Sequence, residues 1–223
     1  MIISHGRKYI FVHIPKTGGT ALSLALEERA MADDILVGDT PKAAKRRHKI
    51  KKSKLTQGLH KHARLADVEG VVARETLDDY FTFTLVRNPW DRIVSYYHWL
   101  KLQGWDHPAV HLAKAVDFTT FLNDHNTLKS LSLPYAHYLQ DSRGIEHNEH
   151  YVRLEALDQD LVPLWDHLGF NLSPIARRNA SPRDRDFRGY YTDADQAVVA
   201  KLCKADIERF GYEFTQTGLR TER

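Results

Sequence analysis

The chain has 223 residues, of which 42% are hydrophobic and 27% charged, the balance of an ordinary soluble globular protein that buries one core. A single cysteine, Cys203, excludes an intrachain disulfide and reads as a packed, reduced thiol. No stretch approaches the roughly 20 apolar residues of a membrane helix, and Met1–Lys8 lacks the apolar run of a signal peptide, so a cytoplasmic protein is expected.

In chain order, Tyr9-Ile10-Phe11-Val12-His13-Ile14 is a β-branched and aromatic run stopping at Pro15, the pattern of a buried strand. Thr17-Gly18-Gly19-Thr20 breaks the chain, and Ala21–Glu28 is strongly helix-forming. Between Thr40 and Ala66 stand ten lysines and arginines and no acid; against a net charge of +3, the remainder carries −7. Basicity is therefore one patch, and weak apolar periodicity predicts an exposed, mobile loop at about 40–56. A second strand, Tyr80–Val86, runs into Arg87-Asn88-Pro89-Trp90 and then a helix entered at Pro89 and Asp91, with Ile93, Tyr96, Tyr97 and Leu100 at helical spacing. Tyr151–Leu154 reads as a third strand, with helices near Ala156–Leu168 and Asp193–Arg209. Strands alternating with helices predict an α/β fold of one domain, 1–223, around a mostly parallel sheet.

The first loop joins a strand to a helix start, where outward amides and the helix dipole favour an anion. Pro15, Lys16, Thr17, Gly18, Gly19 and Thr20 add glycines for close approach, a cation and two hydroxyls. The nucleotide-triphosphatase pattern GxxxxGK[ST] fails, because Lys16 precedes both glycines. In the second loop, Arg87 ends a strand and Ser95 stands about two helical turns on; guanidinium and hydroxyl suit a phosphate monoester. The alternative there is a helix entrance braced by an Asp91–Arg92 surface pair.

FVHIPKTGGTAL resembles the 5′-phosphosulfate loop of sulfotransferases that use 3′-phosphoadenosine 5′-phosphosulfate (PAPS), and LVRNPWDRIVSYY resembles their 3′-phosphate motif RNPxxRxxSxY. YVRLEAL, Arg178-Asn179-Ala180-Ser181 and GYYTDADQAVVAKLCKADIERFGYEF resemble later parts of the carbohydrate (sulfotransferase-2) type, whereas Ile35 to Leu59 resembles nothing assignable. The resemblance implies a P-loop-like three-layer fold. It also implies transfer of a sulfonate group from PAPS to a carbohydrate hydroxyl, without a metal; because the membrane anchor of Golgi relatives is not seen, a soluble bacterial enzyme or an excised catalytic domain is expected.

By that resemblance, residues 17–20 hold the 5′-phosphosulfate, Lys16 stabilises the leaving oxygen, and Arg87 and Ser95 bind the 3′-phosphate. The general base is a histidine between the two motifs: His62, followed by Ala63, is favoured over His60. Otherwise the pair is solvated on a basic surface. His13 reads as a packed strand residue with a lesser case for a place in the site. Glu155 orders the site, contacts a sugar or caps the following helix. Arg178, Asn179 and Ser181 close over the nucleotide. The basic patch either draws in an acidic acceptor or keeps the protein soluble. The rival functions are a basic-loop nucleic-acid-binding module, although no nucleic acid is expected, and a P-loop nucleotide kinase. Acceptor identity and oligomeric state are not fixed by the sequence.

Overall fold

The computed structural model describes residues 1–52, 56, 58–147, 150–176 and 182–215, without the side chains of 49, 51 and 52. Arg178, Asn179 and Ser181 lie outside these described residues. The elements in chain order are β1 (Ile2–Ser4), β2 (Tyr9–Val12), α1 (Gly19–Glu28), β3 (Ile35–Leu36), α2 (Pro41–Lys52), β4 (Phe81–Val86), α3 (Pro89–Lys101), α4 (Pro108–Ala115), α5 (Phe118–Leu122), α6 (His125–Leu131), β5 (His150–Arg153), α7 (Leu157–Asp160), α8 (Val162–Leu168), α9 (Asp193–Leu202) and α10 (Lys204–Phe210). They fall into two compact units interleaved along the chain. One comprises Met1–Val86 with Tyr135–Asn179, and the other Arg87–Pro134 with Ala180–Arg223.

The first unit is built on a five-stranded sheet of order β3-β1-β2-β4-β5. β2, β4 and β5 run parallel, with Val12 opposite Thr84 and Val86 opposite Arg153. β1 pairs antiparallel with both β2 and β3, so the sheet is mixed, parallel only in the half that bears the first loop. The physical reason lies at the N-terminus: a tight turn after Ser4 returns the chain directly onto β2, which only an antiparallel pair permits. Both faces are covered. Tyr9, Phe11, Phe83 and Leu85 pack with Leu22 and Leu26 of α1 and Leu164 and Trp165 of α8. Ile10 and Val12 pack on the opposite side with Leu65, Val68, Leu77 and Leu139, from short 3₁₀ segments. Burial on two faces explains the unbroken apolar run of β2; each such side chain contributes about 1.5–3 kcal/mol.

The stretch predicted as a mobile loop is helical from Pro41 to Lys52. Alanine, lysine and arginine are strong helix formers, and proline suits the first helical position. The Thr40 hydroxyl accepts from Ala43 N (3.2 Å) and donates to the Glu27 carboxylate (2.7 Å). On the inner side, Lys42 bonds the Glu27 carbonyl and Arg46 the Met31 carbonyl (2.6 Å), adding charged donors to carbonyls at and just beyond the end of α1. Charge on this helix is thus partly structural.

In the second unit, Asn88 caps α3, its Oδ1 accepting from Trp90 N at 3.1 Å. Thr192 and Asp195 form a reciprocal capping box at α9, and Asp195 also accepts from Thr119 and Asn123. The helix predicted over Asp193–Arg209 breaks at Cys203, and that predicted over Ala156–Leu168 divides at Leu161, just before Pro163. Cys203 is buried and its thiol is pushed up to about 12 by burial, which fits the packed, unreactive thiol expected. Among the described residues, no helix is long and apolar enough to cross a membrane.

Candidate active site

The loop leaving β2 belongs wholly to the first unit. Ile14 and Thr17 are both fully buried, and Thr17 turns its hydroxyl back to donate to the Ile14 carbonyl (2.9 Å), closing the turn internally. Lys16 adopts φ 66° and Gly18 φ 88°. The left-handed region is cheap for glycine but costs a lysine about 1 kcal/mol, a strain typical of functional loops. Gly18 is the N-cap of α1 and supplies no side chain to the helix, which leaves the first-turn amides without a side-chain cap. A Cβ on Gly18 would stand 2.7 Å from Leu154 Cδ1, and one on Gly19 would stand 2.5 Å from His13 Cδ2. The two glycines are therefore required by different neighbours. Leu154 directly follows β5, which gives the RLEAL segment a structural reason: it packs against the loop. Glu155 lies beside it in the first turn of a 3₁₀ helix, and the preceding Arg153 is held by Asp160 through Nε (2.8 Å) and Nη2 (2.9 Å).

His62 is brought to this loop through His13. Its Nδ1 donates to the His13 carbonyl at 2.8 Å, and the two rings meet edge to face with centroids 4.9 Å apart. A carbonyl only accepts, so this bond places the proton on Nδ1 and makes Nε2 the basic nitrogen. Burial lowers the His62 pKa from 6.5 to about 4, with the charge of Lys61 acting in the same direction and the carbonyl bond against it. At neutral pH the ring is therefore the unprotonated acceptor. His60 is exposed, and its Nδ1 accepts from His62 N at 3.2 Å, so it props the backbone of its neighbour. His13 is 3% exposed and burial holds it neutral, with a pKa well below the ordinary value. Lys61 pairs with Asp39 at 2.7 Å, which ties the residue before His62 to the chain entering α2.

The second loop belongs to the other unit. Arg87 donates from Nε (2.9 Å) and Nη2 (2.6 Å) to one oxygen of Asp91, a turn along α3, while Arg183 bonds the other. Asp91 thus serves two guanidinium groups, in place of the Asp91–Arg92 pair expected as the alternative. All three side chains are largely buried, and a carboxylate fixed this way holds Arg87 in one orientation. Ser95 is buried on the same helix. Arg183 had no sequence signal, because it sits in an arginine- and aspartate-rich stretch with no periodicity.

Residues 1–102 match the family model described as "Sulfotransferase family". No curated protein matches the chain. Among solved structures, mouse sulfotransferase SULT7A1 complexed with PAP is similar, with a TM-score of 0.54 and 18% identity, covering 92% of this chain and 85% of that one. At that identity the likeness supports the fold.

Proposed function

We propose that this chain, a sulfotransferase-family protein through its match over residues 1–102, transfers a sulfonate group from PAPS to a hydroxyl of a carbohydrate acceptor. The observation that carries the mechanism is the His62 tautomer: Nδ1–H committed to the His13 carbonyl leaves Nε2 as acceptor. In the proposed step the acceptor hydroxyl oxygen attacks sulfur as His62 Nε2 takes its proton. The bond from sulfur to the bridging phosphate oxygen breaks, and 3′-phosphoadenosine 5′-phosphate (PAP) leaves. Lys16 meets the charge growing on that bridging oxygen, and the amides of Thr17, Gly18, Gly19 and Thr20 hold the 5′-phosphate. Arg87 and Ser95 take the 3′-phosphate. Sulfonate carries less charge than a phosphoryl group, so a lysine and a helix N-terminus suffice and no metal is required. Binding an anion beside His62 raises its basicity toward the working range of a general base.

The test is transfer of radiolabelled sulfonate from PAPS to a panel of neutral and acidic glycans, with Lys16→Met alongside. The proposal expects transfer by the wild type and a fall of at least 10²-fold for the variant. Equal turnover by both proteins would remove Lys16 from the chemistry. Transfer to small aromatic alcohols but to no glycan would overturn the acceptor class.

A further inference from the structure

His13 is built at a cost that packing does not explain. The ring is almost wholly inaccessible, stacks on Phe11 with centroids 5.8 Å apart, and follows directly on the apolar strand β2. Its Nδ1 is buried without a hydrogen-bond partner among the described residues, a penalty of the kind an apolar side chain would avoid. A buried acceptor without a partner is more readily tolerated than a buried N–H, which assigns the proton to Nε2. That Nε2 lies against Gly19, 2.7 Å from the point a Cβ would occupy. Gly19 is the first residue of the ten-residue helix α1, whose N-terminus has no side-chain cap. A polar side chain, buried and unpartnered at one nitrogen, therefore presents its other nitrogen to the start of the anion loop.

We propose that His13 is a substrate-contacting residue whose Nε2–H donates a hydrogen bond to the phosphosulfate group held at the N-terminus of α1. The inference rests on the sulfotransferase reading of that loop. It gives one residue two tasks: the ring contacts the donor anion, and the backbone carbonyl sets the tautomer of the base, His62. It also explains why position 19 is glycine. The absent side chain keeps a passage open between the imidazole and the helix N-terminus.

The experiment is PAP titration by calorimetry of the wild type, His13→Leu and His13→Gln, with thermal denaturation of each. Leucine removes the donor in an apolar shape of similar volume, while the glutamine amide returns an N–H near the Nε2 position. The proposal expects PAP affinity to fall about 10- to 100-fold in His13→Leu, the worth of one hydrogen bond to a charged group, at unchanged or raised melting temperature. Glutamine should restore affinity to within about threefold. In ¹⁵N-labelled wild type, the His13 Nε2–H resonance should shift on adding PAP. Wild-type binding that His13→Leu retains in full, or an unmoved His13 resonance, would overturn this role and leave the sulfotransferase reading intact. Failure of the wild type to bind PAP would overturn both.

Discussion

Replacing His62 by asparagine separates the base from its scaffold. The asparagine amide can still donate to the His13 carbonyl, as Nδ1 does now at 2.8 Å, but nothing replaces Nε2. In the folded protein the His62 pKa is depressed from 6.5 to about 4, so between those values the unfolded chain binds a proton that the native ring refuses. Native stability from this group is complete above about pH 6.5 and is lost as pH falls toward 4. Two and a half pH units correspond to about 3 kcal/mol at the acid limit, with about 2–3 kcal/mol already lost at pH 4.5 and almost nothing at pH 7. Urea denaturation of both proteins at pH 4.5, 5.5, 7.0 and 8.0 reads the difference directly. His62→Asn should cost less than about 1 kcal/mol at pH 7 and should be more stable than the wild type at pH 4.5. Its sulfonate transfer should fall by about 10²- to 10⁴-fold at neutral pH, and the gap to the wild type should narrow as acid protonates the wild-type base. A stability difference that does not change with pH would refute the half-buried, neutral His62 on which the proposed tautomer depends.

Gly19→Ala should destabilise the protein by about 1–3 kcal/mol in chemical denaturation and weaken PAP binding, because the new methyl meets a buried His13 ring at 2.5 Å. Asp91→Asn leaves Arg87 and Arg183 together without their shared carboxylate; a loss of about 3 kcal/mol and a matching fall in affinity for the 3′-phosphate are expected, measured by denaturation and by PAP titration. His147 has the opposite pH signature to His62. Although burial opposes its charge, bonds from Nδ1 to Asp78 (2.6 Å) and from Nε2 to Asp141 (3.2 Å) raise its pKa. Its contribution is therefore full below pH 6.5 and is lost as pH rises through the raised value. His147→Gln should flatten the alkaline decline in melting temperature between pH 6 and 9.

The parts of the fold legible in the sequence are those whose signal is carried by several residues at once. β2 is buried on both faces and reads as a continuous apolar run, β4 alternates phenylalanine with buried, β-branched threonine, and α1 and α3 carry helix-forming residues or helical spacing directly after a loop. β1 and β3 were invisible because strands of three and two residues carry no pattern, and with them went the antiparallel half of the sheet. α2 reads as a loop because Lys42 and Arg46 on its inner side bond main-chain carbonyls, leaving Ala43 and Ile50 as too weak an apolar period to detect. At the candidate site, the spacing of Lys16, Gly18 and Gly19 predicts an anion loop, and the preference for His62 over His60 rests on a resemblance at the alanine after it. The structure distinguishes the two rings in a way the sequence does not: His62 is half-buried with one committed nitrogen, and His60 is exposed. The standing of His13 could not be read from sequence, since its distinction lies in what its ring lacks on one side and touches on the other.

The most direct test of the central claim is calorimetric titration of the purified protein with PAP and, separately, with 5′-AMP, without added metal. Tight PAP binding that weakens by at least 10²-fold when the 3′-phosphate is absent is the result expected of the proposed sulfotransferase. Equal affinity for the two nucleotides, or no binding of either, would contradict the account.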